Sequence, residues 1–153
     1  MKLIGKGGVS RIVEGLLIAL MCVAPVIMAT LPWTIPLITD RVPGEANLLY
    51  EKYTVILLIS GVMAELVLWQ ARGIMCNVNK GRAFCTDTVR RLRVVGIECL
   101  VLGSLYAVAT FFVTKIFMVV VLVTFAIVGM ILLVFAELFR QAVAFKEEND
   151  MTI

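Results

Sequence analysis

Four long apolar runs leave this chain almost no choice of fold. Residues 12–38, 53–71, 94–113 and 116–137 each carry at most one charged residue, and a bilayer core needs roughly 20 apolar residues per helix. The apolar residues come in unbroken runs, not in the alternation of a half-buried strand. Hydrophobic residues make up 61% of the 153 positions and mean hydropathy is +1.03, whereas soluble domains run near 45–50% apolar. A soluble fold of this length has no core large enough to hide the surplus. The pattern predicts an all-α polytopic membrane protein: one domain, 1–153, of four transmembrane helices with an amphipathic C-terminal extension.

The segment between the second and third runs, 72–93, is the longest connection at 22 residues, too short for a soluble catalytic domain. The chain has no histidine, so the commonest metal ligand and general base is missing. Cys22 and Cys99 fall inside spans, where cysteine acts as a small hydrophobe. Cys76 and Cys85 lie nine residues apart, which is not a zinc-ligand spacing. The expectation is a non-enzymatic protein with no catalytic residues, metal or cofactor. An integral-membrane enzyme pairing Glu65 with Glu98 as acid and base would lack a nucleophile and a phosphate cradle.

The charged start, with Lys2, Lys6 and Arg11, resembles the opening of a signal peptide. The apolar run behind it is too long for that and lacks a cleavage site followed by polar sequence, so it reads as a retained span. Pro25 predicts a kink in this first helix, and Pro32 and Pro36 predict its loosening beyond Leu31. Residues 39–53 read as a short connection, and Trp33, Tyr50 and Tyr53 fall where an aromatic belt lies. Only Thr114 and Lys115 separate the third and fourth spans, so these two form an antiparallel hairpin.

Basic residues set the orientation. With both termini inside, Lys2, Lys6, Arg11, Arg72, Lys80, Arg82, Arg90, Arg91, Arg93, Arg140 and Lys146 are cytoplasmic, eleven of the fourteen Lys and Arg. Arg41, Lys52 and Lys115 remain outside. The chain is therefore expected to be a multi-pass protein of the cell's inner (cytoplasmic) membrane. Past the fourth span, Leu138, Ala142 and Phe145 recur at helical spacing among polar residues, so the tail 138–153 continues the helix until Asn149 and Asp150 end it.

Four glutamates, Glu14, Glu65, Glu98 and Glu137, fall inside or at the rim of the spans. At 1.5 Å per residue, Glu98 lies about 7 Å above Arg93 and Glu65 about 10 Å above Arg72, so all four belong to the cytoplasmic half. Charges in hydrocarbon face the bundle interior and find partners. The four are read as an intramembrane polar cluster that fixes the bundle, with an ion relay as the functional alternative. Gly96, Gly103 and Ala107 form a seam on the third span, and Ala126, Gly129 and Leu133 a face on the fourth, as helix packing requires.

The loop 72–93 holds six basic residues against one acid, Asp87. Such a segment attracts anionic headgroups at roughly 1 kcal/mol per base, or it docks a cytoplasmic protein. Thr86 or Asp87 would cap a helix leading from Thr88 into the third span.

Two stretches also carry a resemblance. In 81-GRAFCTDTVRRLRVVG-96, the residues Gly81, Phe84, Arg91, Leu92 and Arg93 match a Gly-x-Pro-Phe turn followed by Arg-Leu-Arg; Ala83 stands where proline is usual, and Asp87 where asparagine is usual. The tail has 136-AELF-139 and 147-EENDMTI-153, close to an Ala-Glu-x-Phe and a Glu-Asn-Asp-Leu-Thr-Val ending. With these motifs the chain resembles the bacterial four-span membrane proteins of DUF 2975, a domain of unknown function, over nearly its whole length. The resemblance implies a partner, because such proteins are often encoded beside a small helix-turn-helix regulator.

The leading reading is a regulatory or anchoring protein that binds a soluble cytoplasmic partner, for instance a DNA-binding regulator, with no direct nucleic-acid contact. Its docking residues would be Arg82, Phe84, Arg90, Arg91, Arg93, Glu147, Glu148, Asn149 and Asp150, and membrane lipids would be further partners. The alternative is an immunity-type or transport protein that binds a membrane-active peptide or small amphiphile at Trp33, Tyr50 and Tyr53, with Glu65 beneath. Small-residue faces beyond the need of one bundle also leave room for a homodimer.

Overall fold

In the computed structural model the described residues are 9–39, 46–112 and 116–150. They form four helices: α1 (Val9–Thr39), α2 (Ala46–Asn79), α3 (Thr86–Phe112) and α4 (Ile116–Asp150). Each contains a stretch long and apolar enough to cross a membrane, so the architecture is that of a multi-pass helical membrane protein. With 35 residues, α4 is about 52 Å long, well beyond a hydrocarbon core of about 30 Å.

Helicity therefore outlasts hydropathy at several ends. The segment expected as a basic loop over 72–93 is mostly helix, because α2 runs to Asn79 and α3 starts at Thr86. The connection expected over 39–53 likewise gives way to α2 from Ala46 onward. Low hydropathy marks where a span leaves hydrocarbon. It does not mark where the backbone stops its i→i−4 bonding, which polar residues sustain equally well. The tail meets its expectation: α4 continues as one helix to Asp150.

The first span also departs from its reading. α1 passes through Pro25, Pro32 and Pro36 as one helix to Thr39, with no break beyond Leu31. Hydrocarbon offers no water to a broken backbone, so a helix there tolerates proline. Around the last two prolines, the Thr30 hydroxyl donates to Ile27 O (2.9 Å) and the Thr34 hydroxyl to Thr30 O (3.1 Å), so neither threonine is left exposed as a bare polar group.

Packing follows chain order. Close backbone contacts join α1 to α2, α2 to α3 and α3 to α4; among the described residues none joins α1 to α3 or α4, or α2 to α4. The α3–α4 pair is the tightest, because Gly96 and Gly129 face each other. A Cβ on Gly129 would lie 2.9 Å from Gly96 O and from Leu100, and one on Gly96 would lie 2.9 Å from Leu133. Toward the far end of the same pair, Tyr106, Ala109 and Met118 form a buried cluster. Tyr106 stacks on Phe125 at 6.4 Å, and its hydroxyl receives the Ser60 hydroxyl of α2 at 3.1 Å. Much of α1 turns large apolar side chains outward, including Ile12, Leu16 and Val26, as lipid-facing helices do.

Replacing Gly129 by leucine forces α4 away from α3. The variant should lose about 1–3 kcal/mol, the usual cost of overpacking, read as a lower unfolding temperature in mild detergent. Gly15→Ala, where a Cβ meets nothing within 4 Å, should leave that temperature unchanged or slightly raised.

Candidate functional site

The polar side chains gather at the end where α2 turns into α3. Gly81 takes a φ of +71°, which glycine enters without the Cβ penalty. Its N–H reaches Val78 O (3.0 Å) and the Arg82 N–H reaches Asn77 O (2.9 Å), the paired bonds of a Schellman stop. Ala83 thus leaves the turn intact where a proline would have been expected.

The start of α3 differs from the sequence reading. Val89 N donates to Cys85 O at 3.2 Å, which puts Cys85, and neither Thr86 nor Asp87, at the cap position. The Cys85 thiol lies 3.2 Å from the hydroxyl of Thr88, three residues on. Thr88 is only 2% exposed. Burial pushes the Cys85 thiol up, but the Thr88 hydroxyl and the backbone at Thr88 and Asp87 outweigh it and leave the thiol below its ordinary value. Asp87, in the first turn, suits the positive end of the helix dipole.

Two asparagines of α2 then fasten three helices. Asn77 donates to Asp87 (2.8 Å) and to Thr88 (3.2 Å) on α3. Asn79 donates to Glu14 and receives the Ser10 hydroxyl, both on α1. Arg91 adds a second α3–α2 link, with Nε donating to Asp87 and Nη1 to Gln70 at 3.1 Å. On the other side, Arg93 lies 3.8 Å from Glu137 of α4, and Arg140 donates through Nε to both carboxylate oxygens of Glu137 at 3.0 Å. Above the turn, the Phe84 ring stacks on Phe139 of α4 at 5.2 Å.

Of the four glutamates expected as one cluster, Glu14 and Glu137 bond within different helix pairs. No hydrogen bond or ion pair joins any two of them among the described residues. Glu14 belongs to the α1–α2 contact and Glu137 to α3–α4. Glu65 and Glu98 each bury one carboxylate oxygen that has no hydrogen-bond partner.

The docking residues spread over three pieces of one end. Arg82 and Phe84 stand on the turn, Arg90, Arg91 and Arg93 on the first turns of α3, and Glu147, Glu148 and Asn149 on the exposed last turn of α4. Trp33 is exposed near the opposite end of α1. The side chains of Tyr50, Tyr53 and Asp150 lie outside the described residues. A cavity of about 190 Å³ is lined by Glu14, Trp69, Arg72, Gly73, Cys76 and Arg91. A neighbouring one of about 270 Å³ is lined by Trp69, Gln70, Asp87, Arg90, Arg91 and Val94. Between α2, α3 and α4 an apolar cavity of about 500 Å³ includes Ser60, Ala64 and Tyr106. Among the described residues no three metal-ligating side chains converge.

Sequence reasoning missed Ser10, Gln70, Asn77, Asn79 and Thr88, the groups that do the fastening. Their signal was present: neutral amides and hydroxyls sited where spans end, across from carboxylates on the adjoining helices.

The family model described as "Protein of unknown function (DUF2975)" matches residues 24–153, so the chain belongs to that family. The match covers both the turn and the tail. No curated protein and no solved structure matches the chain.

Two outcomes follow from the turn. Gly81→Val should cost about 1–2 kcal/mol and raise the exchange of the amide hydrogens at the end of α2. With Cys22, Cys76 and Cys99 replaced by serine, alkylation of Cys85 by iodoacetamide should reach half its maximal rate at a pH below that of an ordinary thiol. Thr88→Val, which removes a bond that favours the thiolate, should move that midpoint upward.

Proposed function

We propose that this family member is a non-enzymatic membrane anchor, which holds a soluble cytoplasmic protein at the end formed by the α2–α3 turn and the end of α4. The observation that carries this reading is the Phe84–Phe139 stack. With the adjoining Arg93–Glu137–Arg140 contacts, it makes the turn and the prolonged α4 one composite surface. Basic Lys80 and Arg82 stand on the turn, and Glu147 and Glu148 on the helix. The cytoplasmic placement of this end rests on the excess of Lys and Arg around it. A small DNA-binding regulator is the partner that the resemblance suggests, and a change in helix packing would alter the hold on it.

A second reading has its own support in the apolar cavity of about 500 Å³, a volume in the range of small-molecule sites. An immunity-type or transport role would place an amphiphile there, beside the Ser60–Tyr106 hydroxyl pair, rather than at Trp33. Ala64→Trp, which fills this cavity, should then abolish protection or transport in whole cells while partner retention persists.

The test of the anchor is purification in native lipid, followed by mass spectrometry of the proteins that stay bound. A soluble protein held at fixed stoichiometry should be lost by about tenfold or more in Arg82→Glu/Phe84→Ala, as for removal of a central contact. Retention unchanged in that variant, at unchanged helicity, sinks the anchor reading.

A further inference from the structure

Trp69 stands between two cavities that also share Arg91. Around it are three guanidinium groups, and their states differ. Arg91 is fixed by Asp87 and Gln70, and it lies against the backbone of Gly73, where any Cβ would strike the guanidinium. Among the described residues its Nη2 has no hydrogen bond. Arg72 and Arg90 have no ion pair or hydrogen bond among the described residues, and both are exposed. The lining acids are already engaged: Asp87 by Arg91 and Asn77, and Glu14 by Asn79. Three cations against two carboxylates leave the site one positive charge, which a phosphodiester would neutralise.

The surroundings say what carries that phosphate. Trp69 is 59% exposed, and on the same face of α2 Val62 and Leu66 are exposed at the preceding turns. Ile97, Val101 and Val108 form an exposed stripe on α3 at spacings of four and seven. Both stripes start beside the guanidiniums and run into the apolar part of the spans. A soluble anion has no use for such walls, whereas acyl chains do. An interfacial tryptophan beside a basic pocket between helices is the arrangement expected at the headgroup level.

We propose that the Trp69 cleft, with Arg72, Arg90 and Arg91 around it, binds the phosphodiester headgroup of an anionic phospholipid whose acyl chains lie along the exposed faces of α2 and α3. The site is separate from the turn-and-tail surface above and does not depend on a protein partner. It also differs from general attraction to a basic segment, in which Lys80 and Arg82 on the turn would count as much as Arg72 and Arg90.

The full chain carrying Trp33→Phe, so that Trp69 is the sole tryptophan, is placed in nanodiscs of phosphatidylcholine with graded phosphatidylglycerol. Trp69 fluorescence reports binding, and native mass spectrometry reports retained lipid. Arg72→Gln/Arg90→Gln should weaken phosphatidylglycerol binding by about thirtyfold, two headgroup contacts' worth, while Lys80→Gln/Arg82→Gln changes it by less than about threefold. Circular dichroism checks that the exposed substitutions leave the helices in place, and the single variants Arg72→Gln and Arg90→Gln serve if the double variant does not fold. Equal weakening by both pairs means general attraction and overturns the site, as does no weakening by either. A Trp69 response to inorganic phosphate in pure phosphatidylcholine that matches the response to phosphatidylglycerol assigns the cleft to a soluble anion and overturns the lipid reading.

Discussion

Asn77 and Asn79, two residues apart at the end of α2, hold α1 on one side and α3 on the other. In lipid the hydrophobic effect does not drive helices together, so association rests on close packing and interhelical hydrogen bonds. The α3–α4 pair uses the first means, through Gly96 and Gly129. The α1–α2 and α2–α3 pairs lean on the second, at the end where the polar groups are concentrated. A Schellman stop at Gly81 fixes the last turn of α2, and that fixed turn presents the two amides in opposite directions.

Much of the fold was legible because hydrocarbon enforces it. Runs of some 20 apolar residues leave a chain few options but helices, and the number of spans, the tight α3–α4 connection and the long α4 all follow from such runs. Helix ends were less legible. Arg72–Asn79 and Arg90–Arg93 look like loop because they are polar, yet polar residues propagate a helix as well as apolar ones once it is nucleated. The three prolines of α1 invite a break that the surrounding medium penalises.

The polar end of the bundle was legible as a concentration of charge and not in its wiring. Charge and motif pointed to the turn and the tail, and there Phe84 stacks on Phe139 and Arg93 meets Glu137. Glu14 and Glu137 looked alike because each interrupts an apolar run, but which neighbour a residue faces depends on rotation about the helix axis, and hydropathy does not encode that. Cys85 escaped notice as a cap because thiols rarely serve as one. The asparagines escaped because an uncharged amide leaves no mark in a charge count.

The chain-order packing described for the four helices has a consequence for any signal that crosses the protein. A ring of helices offers two backbone routes between any pair; among the described residues this arrangement offers one. By backbone contact a disturbance at α1 reaches α4 through α2 and then α3, and Ile56 of α2, packed on the cluster that holds Met118 of α4, adds a side-chain link between the second helix and the last. Among the described residues α1 has close backbone contact with α2 alone, whereas α4 is packed on α3 through facing glycines. The two ends of the helix order are thereby held by different means, hydrogen bonds to Asn79 at the first helix and facing glycines at the last.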